Sequence, residues 1–112
     1  MKGQSLETSG PLGPRLVTPD EIDDLHNLDM WLDVNGERMQ TGNTKPLIFS
    51  LAHCLHYISQ FMVLEPGDVV TTGTPPGVGL GMNPQKFLKV GDVMTLGIEG
   101  LGEQRQKVVE PR

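Results

Sequence analysis

The residues best suited to chemistry in this 112-residue chain lie between Glu65 and Gly81, in the run EPGDVVTTGTPPGVGLG. Pro66-Gly67 reads as a tight turn, and Val69 to Thr72 has the β-branched composition of a short strand. The loop from Gly73 to Gly81 then carries four glycines and two prolines. That mixture frees some φ angles and fixes others, so backbone N–H groups and the Thr74 hydroxyl can approach a ligand closely. Such a loop suits an anionic small molecule, and a plain strand-to-loop corner is the structural alternative.

Other groupings of reactive residue types are weaker. His53 and His56 stand three apart with Cys54 between them, but two ligands do not close a zinc site. Asp20, Glu21, Asp23 and Asp24 cluster at a helix start, where acids already have an electrostatic reason to sit. Gly77-Val78-Gly79-Leu80-Gly81 lacks the spacing and the βαβ setting of a dinucleotide loop, and no Gly-Lys-Ser/Thr follows for a phosphate loop. Cys54 falls mid-helix and no serine occupies a strand-to-helix elbow, so a nucleophilic triad has no support.

Several elements must position the loop. Leu28, Met30, Leu32 and Val34 alternate with Asp29, Trp31 and Asp33, and Asn35-Gly36 closes a two-residue hairpin whose return strand runs from Glu37 to Thr41. Trp31 is expected to pack against a neighbouring element. Asn43-Thr44 with Pro46 reads as a helix start, and Ile48, Leu51, Leu55, Ile58 and Met62 form an apolar stripe over about 45–63 that should bury on the sheet. Arg15 to Val17 reads as a short strand, and Thr18 caps a one-turn helix. Val93 to Ile98 and Glu103 to Val109 pair around Gly100-Leu101-Gly102. Residues 1–14 form a turn-rich lead-in and 15–109 a β-rich body.

Composition narrows the classes further. With 14 acidic against 9 basic residues the net charge is −5, and no basic run offers itself to nucleic acid or an anionic membrane. The single cysteine, Cys54, excludes an internal disulfide framework and fits a reducing, cytoplasmic setting. No segment approaches about 18 consecutive apolar residues, so a soluble chain is expected. The counts of 14 glycines and 9 prolines favour turns and short strands over helices.

The string PGDVVTTGTPPGVG resembles the signature of the fumarylacetoacetate hydrolase (FAH) family, enzymes that act on 2-oxo and 2,4-dioxo acids with a divalent metal. The strings KGQSLETSGPLGPRLVT, LDMWLDVNGERMQTGNT and FLKVGDVMTLGIEGLGEQRQKV are similar to further segments of the same family, the hairpin especially to sugar-acid members such as 2,4-diketo-3-deoxy-fuconate hydrolases. The resemblance runs from Lys2 to about Val109 and implies an α+β fold, mainly β with one amphipathic helix, in an incomplete FAH-type mixed β-roll.

That resemblance implies substrate binding by Thr74 with Gly73, and it sets Gln4 where the family has its active-site lysine. Lys2, two residues away, would point to the same face about 7 Å along an extended chain. The family's metal ligands, two glutamates and an aspartate, lie upstream of the matched segment, so no metal ligand is expected in this chain and Mg²⁺ or Mn²⁺ would be held elsewhere. The implied activity is metal-dependent hydrolysis of a carbon–carbon bond in a 2,4-dioxo acid by a homodimer. Isomerase, hydratase or decarboxylase chemistry runs on the same scaffold. A non-catalytic fragment or remnant that only folds or assembles is the alternative.

Overall fold

A computed structural model describes residues 8–111. Four antiparallel strands form one sheet: β1 (Asp29–Val34), β2 (Glu37–Asn43), β3 (Val93–Ile98) and β4 (Gly102–Lys107), in the order β2-β1-β3-β4. One helix, α1 (Leu51–Ser59), lies between β2 and β3 in the chain. The expectation of an α+β chain, mainly β with a single helix, holds. Within the described sheet every pairing is antiparallel, so the mixed character expected of a roll does not appear there.

The β1–β2 hairpin forms where Asn-Gly demands it. Asn35 has φ 51° and Gly36 φ 81°, the two positive values that match a tight connection to the right-handed twist of the strands. Asn35 also reaches across to the next hairpin: its Nδ2 donates to Asp92 Oδ1 at 2.9 Å, and its Oδ1 accepts from Val93 N–H at 2.9 Å. The pairing is not regular throughout. Leu32 faces Gln40 and Asp33 faces Arg38, which leaves Met39 as the extra residue of a β-bulge.

The sheet's two sides differ. On one, Trp31 lies against buried Gly97, where an added Cβ would stand 3.0 Å from the indole, and the Arg38 guanidinium sits over the ring 5.0 Å from its centroid. Trp31 therefore packs within the sheet's own face. The other side carries Met30, Leu32, Met94, Leu96 and Ile98 with Gln40, Gln104 and Gln106 in register beside them. No hydrophobic side chain among the described residues is fully buried.

Three expectations from local pattern are corrected. Residues 45–50 and 60–63 are not helical; at the start the proposed caps are occupied, since Asn43 accepts from Lys45 N–H and donates to Asp29, while Thr44 Oγ1 donates to Leu25 O and accepts from Leu28 N–H. Ser50 caps instead, accepting from His53 N–H at 3.1 Å. The helix also does not bury its stripe on the sheet; Leu55 is 45% exposed, and among the described residues no strand packs on α1. Finally, Val69 to Thr72 and Arg15 to Val17 join no strand, since strand composition alone does not supply a hydrogen-bonding edge. The turn at Pro19–Glu21 does form, without a side-chain cap from Thr18.

Pro66-Gly67-Asp68 and Val90-Gly91-Asp92 share one local design. In each, the aspartate N–H donates to the carbonyl three residues back, and its carboxylate accepts from that same residue's N–H, at 2.8 Å. The Lys89 N–H, then the Asn35 amide, hold the Asp92 carboxyl below the usual carboxylate value. A depressed carboxyl stabilises the fold above its unfolded value of about 3.9 and loses that contribution as pH falls through the lower folded value. The melting-temperature gap between wild type and Asp92→Ala is therefore expected to narrow between pH 6 and pH 3. A constant gap would contradict this.

Candidate substrate-binding site

The glycine–proline loop lies across β2 and is held there by close backbone approach. A Cβ on Gly77 would stand 2.3 Å from the Met39 carbonyl oxygen, and one on Gly42 would stand 2.8 Å from Pro75 Cβ. At Gly79 an added Cβ would fall 1.6 Å from the Lys86 carbonyl oxygen. The glycines are thus contact points as well as flexible joints. An apolar cavity of about 220 Å³ marks the seam where Val78, Phe87 and Leu88 meet Leu32, Met39 and Met94.

Thr74 is exposed at the crest of this loop, after Gly73 at φ 94°. It lines two open depressions. One, of about 540 Å³, spans the apolar sheet face with Met30, Gln40, Leu96, Gln104 and Gln106; the other, of about 630 Å³, runs toward Asn43, Phe49 and Cys54. Gln40 Nε2 donates to Thr74 Oγ1 at 3.1 Å and to Pro75 O at 2.7 Å. Across the same row of the sheet, Gln104 Nε2 donates to the Gly13 carbonyl, which ties residues of the lead-in to β4.

Among the described residues, the depression between Thr74 and the sheet is lined by no charged side chain of either sign. Asp33 and Glu103 are on the opposite side of the sheet, and Glu37, near the hairpin turn, faces Lys86 Nζ at 3.7 Å. What remains beside Thr74 are neutral amides and apolar side chains. The arrangement can offer hydrogen-bond donors to an oxyacid whose carbon skeleton rests on the Met and Leu side chains.

Other sequence candidates are dispersed. Gln4 and Lys2 lie outside the described residues. His53 stacks on Phe49 with ring centroids 5.0 Å apart, and the His56 Nε2 pairs with Gln60 at 3.1 Å. Among the described residues no group of three or more His, Cys, Asp and Glu could hold a metal ion, so these residues do not fit a metal centre. No helix among them is long and apolar enough to cross a membrane. Gln40 is the site residue that sequence reasoning passed over. Its signal was slight: a glutamine in an alternating strand reads as an outward polar residue, and only its place in the MQTGNT string set it apart.

Residues 1–109 match the sequence profile described as fumarylacetoacetate (FAA) hydrolase C-terminal. This chain belongs to the FAH family. A 2,4-didehydro-3-deoxy-L-rhamnonate hydrolase from Sphingomonas sp. (strain SKA58) is 59% identical over 112 residues, covering 99% of this chain and 39% of that relative. The chain thus spans well under half of the curated relative it matches.

Solved FAH-family structures agree. A fumarylacetoacetate hydrolase from psychrophilic Exiguobacterium antarcticum superposes with a TM-score of 0.93 at 41% identity, over 98% of this chain and 39% of the other. A maleylpyruvate hydrolase from Sphingobium sp. SYK-6, solved with manganese(II) and pyruvate, gives 0.80 at 35% identity over 89% of this chain and 35% of its own. FAH-family hydrolases are enzymes, and at least this neighbour binds a divalent metal together with a small 2-oxo acid.

Proposed function

We propose that these residues form the substrate-side half of an FAH-type hydrolase site that cleaves a carbon–carbon bond in a 2,4-dioxo acid. A deoxy sugar acid is the best-supported substrate class, given the 59% identity to the Sphingomonas hydrolase. The observation that carries the reading is the Thr74 hydroxyl, exposed on a glycine-pinned loop over an open, largely neutral sheet face. Mg²⁺ or Mn²⁺ belongs to the proposal, held by residues other than those described, because these do not fit a metal centre.

In the reaction, water adds to the acyl carbon, the carbon–carbon bond breaks, and its electron pair passes to the released fragment as an enolate that then takes up a proton. Thr74, with the Gly73 and Thr74 backbone, holds substrate oxygens in this scheme. Donors already oriented toward developing negative charge stabilise it without having to reorganise. Hydrogen bonds to charged groups contribute about 1.5–3 kcal/mol, so losing one should lower kcat/KM by about 10- to 100-fold.

The test is a chimera in which this chain replaces the matching part of the Sphingomonas hydrolase, assayed on 2,4-didehydro-3-deoxy-L-rhamnonate with Mn²⁺ present. Turnover that falls by that factor on Thr74→Val is the expected result. A chimera that is inactive beside an active parent, or one indifferent to Thr74→Val, would overturn the catalytic reading.

A second reading has its own observation in support. With Leu16 at 95% and Ile48 at 90% exposure, and no hydrophobic side chain fully buried among the described residues, the chain offers apolar surface to a partner. On that reading it assembles, as a homodimer or with a complementary chain, without catalysis. The inactive chimera is the result that would favour it.

A further inference from the structure

The Gln40 amide meets three oxygens of the loop, and two of them decide which way round it lies. The Pro75 carbonyl at 2.7 Å and the Pro76 carbonyl at 3.5 Å can only accept hydrogen bonds. The nitrogen end must therefore face the loop, and its second hydrogen goes to Thr74 Oγ1 at 3.1 Å. A threonine hydroxyl has one proton and two lone pairs. Once its oxygen accepts from Gln40, its own proton has to point elsewhere, and the open depression over the sheet lies beside it.

The bulge explains how Gln40 comes to be there. Side chains alternate along a strand, so a one-residue slip sends every side chain to the other face. Met39 is the unmatched residue, and it restores Gln40 to the Leu32 side of the sheet while Arg38 stays on the Trp31 side. The Met39 carbonyl is also the atom against which Gly77 rests. One irregularity in β2 thus seats the loop and aims the amide that binds it.

We infer that Gln40 is a positioning residue that fixes the Thr74 hydroxyl as a hydrogen-bond donor toward an oxyacid. The inference rests on the reading of Thr74 as a ligand-binding group. Carboxylate and oxo oxygens only accept, so a hydroxyl whose donor direction is set beforehand is matched to them. A hydroxyl free to rotate, or one turned toward a neighbouring acceptor, would have to reorient at the moment of binding.

A double-mutant cycle in the chimera described above, with the same sugar acid and Mn²⁺, separates the possibilities. Gln40→Met keeps the length of the side chain and removes both hydrogen bonds; it should lower kcat/KM about tenfold. Combined with Thr74→Val it should add nothing further, because the group it orients is gone. A thermal melt of the Gln40→Met chimera that matches the parent's guards against misfolding; Gln40→Glu, whose acceptor-only carboxylate would meet the Pro75 and Pro76 carbonyls and draw the Thr74 proton inward, should lose at least as much. Unchanged kinetics in Gln40→Met, or losses that multiply in the double variant, would overturn the positioning role. If Thr74→Val alone changes nothing, the reading beneath it has failed instead, and the two failures are thereby told apart.

Discussion

Gly77→Ala should reduce kcat/KM of the chimera by about 100-fold, because a displacement of about 1 Å at a positioned group can cost that much. The new methyl would stand 2.3 Å from the Met39 carbonyl oxygen, a backbone atom that no rotamer change can move aside. Gly77 also has φ 110°, where a side chain is strained whatever the space. The loop would have to lift from the bulge and carry Pro75 and Thr74 away from Gln40. Gly67→Ala is the control: Gly67 has φ 96° but nothing within 4 Å of an added Cβ, and it lies outside the proposed substrate contacts, so it bears the backbone strain without the collision. Equal losses in the two variants would show that loop seating on Met39 is unimportant.

Gln4→Lys is expected to raise kcat in the same chimera more than it lowers KM. The resemblance to the FAH family puts a lysine at this position, and an ammonium offsets charge on an enolate-like fragment where an amide offers only a neutral dipole. Electrostatic groups that act on charge developing in the transition state are worth about 10²- to 10³-fold in kcat. A gain on the order of tenfold is the fair expectation, since charge-assisted hydrogen bonds are roughly twice as strong as neutral ones. An unchanged rate would mean that charge is handled by other residues.

What could be read from the sequence was what is decided locally. The Asn35-Gly36 hairpin needs only two residues that accept positive φ and an alternating flank, and it stands as expected. The β3–β4 hairpin and the turns at Gly67 and Gly91 are local in the same sense. The helix start was misplaced because Asn43 and Thr44 are good caps that found other partners more than ten residues away in sequence. Val69 to Thr72 has a strand's composition, but composition does not supply an edge to pair with.

The candidate site was legible in part, for the same reason. Thr74 was singled out by the glycines and prolines around it, and the family match runs over residues 1–109. Gln40 did not, because a bulge leaves no mark in the alternation of Glu37, Arg38, Met39 and Gln40. Nor does spacing reveal that Gly77 is a contact with Met39; only the folded loop shows which glycine is needed for freedom and which for closeness.

Thr74→Ser compared with Thr74→Val in the manganese-loaded chimera decides whether the hydroxyl grips substrate. Serine keeps the hydroxyl that Gln40 orients, and valine keeps the shape without it. Serine should retain most of the kcat/KM on the deoxy sugar acid while valine loses about 10- to 100-fold. If serine and valine fall together, or neither falls, the hydroxyl does not grip the substrate and the account is wrong.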